Sequence, residues 1–147
     1  MDTQLDPGVT VLLVEDTPSD AYLMMRGISQ SQMTAQLHWV ETGEAALQFL
    51  RQRAEIVDKN HPRLVLLDLN LPGMSGQEVL TYIKADSSLK HIPVIIFTTS
   101  SDPRDILKAY QLQANCYVIK PIEAQEFIHA TQQLLNFWLA IACLPGL

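Results

Sequence analysis

The sequence has few cysteines, no run of basic residues and no apolar segment long enough to cross a membrane. Its two cysteines, Cys116 and Cys143, are too few for a disulfide framework in a chain of 147 residues. The formal net charge of −6 argues against nucleic-acid binding, which needs clustered Lys and Arg. Residues 1–10 lack the basic and apolar regions of a secretion signal. These absences predict a cytoplasmic protein that binds neither nucleic acid nor a membrane.

Five short apolar runs alternate along the chain with stretches whose apolar residues recur at helical spacing. Strands that alternate with helices form parallel sheets covered on both faces, so the pattern predicts one α/β domain. The functional cleft of such a sheet lies at the carboxyl ends of its strands. The predicted strands are residues 9–14, 36–40, 63–68, 94–98 and 116–119, and the predicted helices are 20–29, 44–53, 77–84, 103–113 and one from about residue 123.

Local signals refine this outline. Asp102 followed by Pro103 is typical of a helix N-cap and first helical position. The second and fifth strands are less apolar than the others, which predicts that they lie near the edges of the sheet. Ile56 to Pro62 is a polar stretch and is predicted to be a loop before the third strand.

Charged and hydroxyl side chains stand where the predicted strands end. Glu15 and Asp16 follow the first strand, Asp68 closes the third, Thr98 closes the fourth and Lys120 follows the fifth. Three neighbouring carboxylates repel one another unless a cation neutralises them, and all-oxygen ligation favours Mg²⁺. A carboxylate beside Mg²⁺ can attack phosphorus, while an ammonium neutralises charge on the phosphoryl oxygens. The pattern therefore predicts phosphoryl transfer to a carboxylate.

Four motifs surround these residues: Val11 to Asp16, Leu66 to Gly76, Pro93 to Thr98 and Tyr117 to Pro121. Together they resemble the motifs of bacterial response-regulator receiver domains. The resemblance implies a flavodoxin-like, doubly wound sheet of five parallel strands in the order 2-1-3-4-5, with helices on both faces. It implies a flexible N-terminal segment (residues 1–8), a receiver domain (9–136) and an apolar extension of the last helix (137–147).

The resemblance also implies a role for each residue of the site. Asp68 is expected to be the phosphorylated aspartate, and Lys120 to pair with the phosphoryl group. Asp16 is expected to ligate Mg²⁺ directly and Glu15 through water. Asn70 is expected to contribute its backbone carbonyl to the metal.

A conformational switch is implied as well. Thr98 is expected to move toward the phosphoryl oxygen and Tyr117 to turn inward behind it, which shifts the population between two conformations. The output surface would be the fourth helix, fifth strand and fifth helix. Pro121 is typically joined to the preceding lysine by a cis peptide in this family. Thr99 departs from the family, which usually has alanine or glycine there, and Glu15 replaces the commoner aspartate.

A narrower likeness is carried by the loop at residues 69–73, the segment 115–121, the longer loop around residues 58–62 and the ending from Asn136. These segments resemble those of the small receiver proteins that partner cyanobacterial phytochrome kinases. It implies a signalling switch rather than a turnover enzyme, without an output domain. The phosphodonor would be a phosphohistidine on a light-sensing histidine kinase, and the downstream protein is unknown.

Three other functions compete with this interpretation. A non-phosphorylated adaptor of the same fold, acting only through protein contacts, would be expected to lack an acid or the lysine, and all are present. A flavin or nucleotide site would need an uncharged, glycine-rich phosphate loop where Glu15 and Asp16 stand. A phosphatase with an aspartate nucleophile would need a second acid at the position of Asn70.

The end of the chain is apolar on all sides. Such a segment forms an exposed patch in water unless it is covered, and it is too short to span a bilayer. It could fold back on its own domain. We favour a two-fold homodimer contact, with interface residues Phe137, Trp138, Leu139 and Ile141.

Overall fold

The structure, a computed structural model of the chain, describes residues 9–31, 34–54 and 61–145. The predicted N-terminal segment 1–8 and residues 56–60 of the predicted polar loop lie outside the described residues. The strands are β1 (Val9–Val14), β2 (Ala35–Val40), β3 (Leu64–Leu67), β4 (Val94–Thr98) and β5 (Cys116–Ile119). The α-helices are α1 (Pro18–Gln30), α2 (Gly43–Ala54), α3 (Gly76–Ala85), α4 (Pro103–Gln111) and α5 (Ala124–Asn136).

The five strands pair in parallel in the order β2-β1-β3-β4-β5. This confirms the predicted doubly wound fold and its strand order. β3 and β4 are buried throughout, whereas β2 and β5 carry half-buried and exposed residues. The prediction that the second and fifth strands lie at the edges is therefore also confirmed.

Successive residues of the central strands enter two separate cores, because side chains alternate between the faces of a strand. On one face, side chains of β1, β3 and β4 pack against α1 and α5. On the other face, the alternate residues pack against α2, α3 and α4. Both faces are covered, which explains why these strands read as continuous apolar runs rather than as an alternating pattern.

Helix α4 begins where the sequence predicts and ends earlier. The side chain of Asp102 accepts a hydrogen bond from the backbone N–H of Arg104 (2.9 Å), which confirms the predicted N-cap. The predicted end at Gln113 is wrong, because the helix ends at Gln111. Gln113 has a φ of 74°, a left-handed conformation that stops a helix.

The turn that follows Asp68 lies tightly against the end of β3. The backbone N–H of Gly76 donates to the carbonyl of Leu69 (3.0 Å), and a capping box between Ser75 and Glu78 starts α3. A β-carbon on Gly76 would overlap the Asp68 carbonyl oxygen and lie 2.6 Å from the Cα of Leu69. Glycine is therefore required at this position, which is the first residue of α3.

The apolar tail continues α5 as a π-helical turn, Phe137–Ile141, and divides between two environments. Trp138 and Leu139 pack against the core formed with α1 and α5, whereas Phe137 and Ile141 are 49% and 68% exposed. Further along, the guanidinium of Arg63 donates to the carbonyls of Leu144 (3.3 Å) and Pro145 (3.4 Å). Part of the tail thus folds back on its own domain. None of the helices that the structure describes has the length and apolar character to cross a membrane.

We expect Gly76→Ala to lower the free energy of unfolding by about 1–3 kcal/mol, the typical cost of overpacking. The added methyl group must displace the backbone that carries Asp68, and backbone yields less readily than a side chain. Urea unfolding measures the loss, with Gln77→Ala as the control one residue along, expected to change stability by about 0.5 kcal/mol or less. Equal stability of Gly76→Ala and the wild type would show that this close approach is absent in solution.

Candidate functional site

The carboxyl ends of three strands bring the predicted site residues together. Glu15 and Asp16 follow β1, Asp68 follows β3 and Lys120 follows β5. The pairing of β1 with β3, and of β3 through β4 with β5, sets these ends along one edge of the sheet. Backbone hydrogen bonds lock the edge, since Asp68 N–H donates to Val14 O (3.1 Å) and Lys120 N–H donates to Thr98 O (2.7 Å). The predicted convergence is confirmed.

The ammonium group of Lys120 lies at the centre of this edge, on a side chain that is 2% exposed. Its Nζ donates to Asp68 Oδ2 at 2.8 Å, to Glu15 Oε1 at 2.5 Å and to Asp20 Oδ2 at 2.9 Å. An ammonium has three N–H groups, so all of its donors are used. Such pairing is what makes a buried charge tolerable.

Burial and charge oppose each other in this cluster. Burial raises the pKa of Glu15 to about 7, although the adjacent Lys120 ammonium acts in the opposite direction. For Lys120, burial alone would lower the pKa of the ammonium. Its hydrogen bonds to Asp20, Asp68 and Glu15 outweigh burial and raise that pKa above its ordinary value. The lysine therefore stays positively charged at neutral pH.

Asp20 is a member of the site that the sequence did not predict. It stands in the first turn of α1, and its carboxylate reaches a lysine one hundred positions away in the chain. A signal was available, because α1 starts at the same edge of the sheet and an acid in its first turn faces that edge. The helical spacing alone assigns this acid to α1 and gives it no role in the site.

Backbone and indole contacts hold the carboxylates in place. Glu15 Oε2 accepts from the backbone N–H of Thr17 (3.1 Å), and the carbonyl of Glu15 accepts from the Trp39 indole (2.7 Å). Asp68 Oδ1 accepts from the backbone N–H of Asn70 (3.2 Å). Asp68 thus has one oxygen facing Lys120 and the other facing the loop that follows.

Glu15, Asp16 and Asp68 each offer a carboxylate oxygen, and these oxygens lie within 4.8 Å of one another. Among the described residues, no other group of three or more acidic, histidine or cysteine side chains is arranged in this way. Glu15 and Asp68 are buried, whereas Asp16 is more open to solvent. Hard oxygen donors with an open side suit a divalent cation that retains waters, so the arrangement fits divalent metal binding.

Thr98 presents a buried hydroxyl at the end of β4. The residue is fully buried, and within the described part of the chain its Oγ1 has no hydrogen-bond partner. A buried hydroxyl without a partner is unfavourable, and such groups often mark functional positions. Thr99, the departure from the family pattern, is exposed.

Tyr117 is half-buried and packs against the core formed with α2, α3 and α4. Its hydroxyl donates to the carbonyl of Ser100 (2.8 Å), and its backbone N–H donates to the hydroxyl of Tyr110 on α4 (3.1 Å). Tyr117 therefore connects the loop after Thr98 to helix α4. Burial raises the pKa of its hydroxyl, so the group remains a donor at neutral pH.

The peptide bond between Lys120 and Pro121 is trans, since the described residues contain no cis peptide bond. The cis form that the family resemblance implies is therefore not found. Trans is the lower-energy isomer of a bond before proline by about 0.5–1 kcal/mol.

Comparison with known proteins agrees with this geometry. The family model of the response regulator receiver domain matches residues 11–132. The response regulator Rcp1 of Synechocystis sp. is 37% identical over 99% of both chains. The probable methanogenesis regulatory protein FilR2 of Methanothrix harundinacea is 38% identical over 96% of this chain and 90% of its own.

Solved structures give the same result. The phosphorylated cyanobacterial phytochrome response regulator RcpA has a TM-score of 0.88 and 37% identity, covering 95% of this chain and 99% of its own. The Mn²⁺-bound form of Rcp1 has a TM-score of 0.86 and 38% identity, covering 94% of this chain and 99% of its own. One similar protein thus carries a divalent metal ion.

We expect Asp16→Asn to weaken Mn²⁺ binding by at least about tenfold, the loss that removal of even an outer-shell metal partner typically causes. Asp16 contributes the most accessible carboxylate of the cluster. Titration of tryptophan fluorescence reports binding, because the Trp39 indole is bonded to the Glu15 carbonyl. Asp102→Asn, an acid to amide change at the N-cap of α4, is the control and should bind as the wild type does. Equal affinities for Asp16→Asn and the wild type would exclude Asp16 as a ligand.

Proposed function

The chain belongs to the response regulator receiver family, and on that premise we propose that Asp68 accepts a phosphoryl group from the phosphohistidine of a sensor histidine kinase. The observation that carries the proposal is the buried contact between Asp68 and Lys120, 2.8 Å long, beside a carboxylate cluster that fits a divalent cation. Receiver domains are generally signalling switches rather than turnover enzymes. The cytoplasmic location remains a prediction from the sequence.

The chemistry needs positioning and charge neutralisation more than it needs acid–base groups. A carboxylate oxygen of Asp68 attacks phosphorus as the bond to the histidine nitrogen breaks, which leaves an acyl phosphate on Asp68. Lys120 neutralises charge on the equatorial phosphoryl oxygens. Asp16, Asp68 and the backbone carbonyl of Asn70 are the proposed ligands of Mg²⁺, and Glu15 is proposed to contact the ion through water. When bound, the ion would supply further positive charge.

The proposed output begins at Thr98. Its hydroxyl, which has no hydrogen-bond partner among the described residues, is available to a phosphoryl oxygen on Asp68, which would draw the end of β4 toward the site. Two residues along the chain, the carbonyl of Ser100 accepts a hydrogen bond from the hydroxyl of Tyr117. Movement of this loop therefore disturbs Tyr117 and, through the hydroxyl of Tyr110, helix α4. The new charge biases two arrangements of these contacts.

A phytochrome is the proposed kinase partner. The support is the similarity to Rcp1 and to RcpA, described as a cyanobacterial phytochrome response regulator. FilR2, which is 38% identical, is named a probable methanogenesis regulatory protein. Phosphorylation of Asp68 is therefore proposed from the geometry of the site, and the light-sensing partner is proposed from similarity.

We expect the wild type, incubated with acetyl phosphate and Mg²⁺, to gain the mass of one phosphoryl group. Asp68→Asn should gain none, because an amide is not a nucleophile toward phosphorus at neutral pH. Omission of Mg²⁺ should suppress the gain by at least about tenfold, since neutralisation of the transferring group is the main catalytic contribution. Intact-protein mass spectrometry measures the extent of modification.

Asp102→Asn is the matched control and should be phosphorylated as the wild type is. A wild type that gains no mass at saturating donor and Mg²⁺ would contradict the proposal and favour the adaptor that acts only through contacts. A mass gain that persists in Asp68→Asn would place the phosphoryl group on another residue.

The apolar extension at residues 137–147 is the proposed contact of a homodimer. Phe137 and Ile141 are exposed and one helical turn apart, so they form a continuous apolar surface. Trp138 and Leu139, the other predicted interface residues, are half-buried against their own domain. Their proposed role in the contact is therefore to support the two exposed side chains.

We expect the double variant Phe137→Ser with Ile141→Ser to be monomeric at concentrations where the wild type is dimeric. Burying each of these side chains contributes about 1.5–3 kcal/mol to association. Sedimentation velocity measures the change, and Tyr22→Ser, an equally exposed aromatic on α1, is the control. This pair is preferable to truncation, which would also remove Trp138 from the core. A wild type that is monomeric at tens of micromolar, or a double variant that stays dimeric, would contradict the proposed contact.

A further inference from the structure

Asp20 supplies the third carboxylate around Lys120 and lies outside the cluster that fits a metal ion. Its Oδ2 is 2.9 Å from Lys120 Nζ, and its side chain is 24% exposed. The metal-fitting cluster consists of Glu15, Asp16 and Asp68. Three carboxylates accept hydrogen bonds from the ammonium, and of these only Asp20 has no proposed role in metal binding or phosphorylation.

Phosphorylation changes what the other two carboxylates can offer. In the acyl phosphate, the negative charge moves from the Asp68 carboxylate to the phosphoryl oxygens, so the N–H that Lys120 gives to Asp68 must follow it. Glu15 would share its charge with a divalent cation when one is bound, and that cation would also repel the ammonium. Both changes weaken the hydrogen bonds that Lys120 makes to Asp68 and Glu15.

From this geometry, and on the basis of the proposed phosphorylation of Asp68, we propose that Asp20 is the positioning residue that keeps the Lys120 ammonium beside the transferring phosphoryl group. It provides a charged acceptor that neither phosphorylation nor metal binding consumes. Charge-assisted hydrogen bonds of this kind are the stronger ones in proteins. Fixing the ammonium before transfer avoids reorganisation during the reaction.

The simpler explanation is that Asp20 only stabilises α1, since an acid in the first turn interacts favourably with the helix dipole. The contacts argue against this explanation. The Asp20 carboxylate is hydrogen-bonded to Lys120, the residue that follows β5. Glu126 in the first turn of α5 is an exposed acid in the same helical position without such a contact among the described residues. Substitution of Glu126 is therefore the matched control for the loss of an acid that interacts only with the helix dipole.

The test compares the wild type, Asp20→Asn, Asp20→Glu and Glu126→Gln in phosphorylation by acetyl phosphate at saturating Mg²⁺. The maximal rate constant and the half-saturating donor concentration are measured separately, at low and high salt. Asp20→Asn should lower the maximal rate constant by about tenfold, the effect of losing one hydrogen bond to a charged group. Asp20→Glu should restore most of the rate, and Glu126→Gln should match the wild type.

The outcomes separate this inference from the proposed function. If the wild type is phosphorylated and Asp20→Asn reaches the same maximal rate, the positioning role of Asp20 is overturned while the role of Asp68 stands. The positioning role is also overturned if Asp20→Asn changes only the half-saturating donor concentration, and changes it less at high salt. That pattern indicates that the charge of Asp20 acts only by repelling the anionic donor. A wild type that is never phosphorylated overturns the proposed function, and the positioning role fails with it.

Discussion

The buried ammonium of Lys120 is the interaction on which the site depends. Three carboxylates surround it with hydrogen bonds of 2.5–2.9 Å, and without it Glu15 and Asp68 would be buried charges without compensation. The arrangement also requires the strand order, because only a sheet with β1 beside β3 and with β4 between β3 and β5 brings these ends together. The strand order of the sheet is therefore a requirement for the chemistry of the site.

The same charge balance links the site to the rest of the molecule. The described side chains around Lys120 leave a surplus of negative charge, which a divalent cation can reduce and a phosphoryl group would then rearrange. At the adjoining strand end, the buried hydroxyl of Thr98 has no partner in the part of the chain that the structure describes. The hydroxyl of Tyr117 is hydrogen-bonded to the loop that follows Thr98. A change at Asp68 therefore has a continuous route of contacts to α4. This route couples Asp68 to α4 when its contacts have two discrete arrangements, and phosphorylation favours one of them.

Much of the fold could be predicted from the sequence because local patterns determine it. The runs that form β1, β4 and β5 were predicted with the bounds found, since strands buried on both faces are continuous and apolar. The convergence of Asp68 with Lys120 followed from the parallel sheet. Asp20 was missed because its partner is distant in the chain, and the fold-back contacts of Arg63 were missed for the same reason. The end of α4 depends on the left-handed conformation of one residue, Gln113. The spacing of apolar residues does not predict that conformation.

The most direct measurement of the central claim is side-chain NMR of the lysine ammonium groups in the metal-free protein. The account predicts a slowly exchanging ammonium signal at neutral pH that is absent in Lys120→Arg, because burial and three carboxylates protect these protons from water. Mg²⁺ with beryllofluoride, a phosphoryl mimic, should shift that signal without removing it. A Lys120 signal averaged with those of exposed lysines in the metal-free protein would contradict the account.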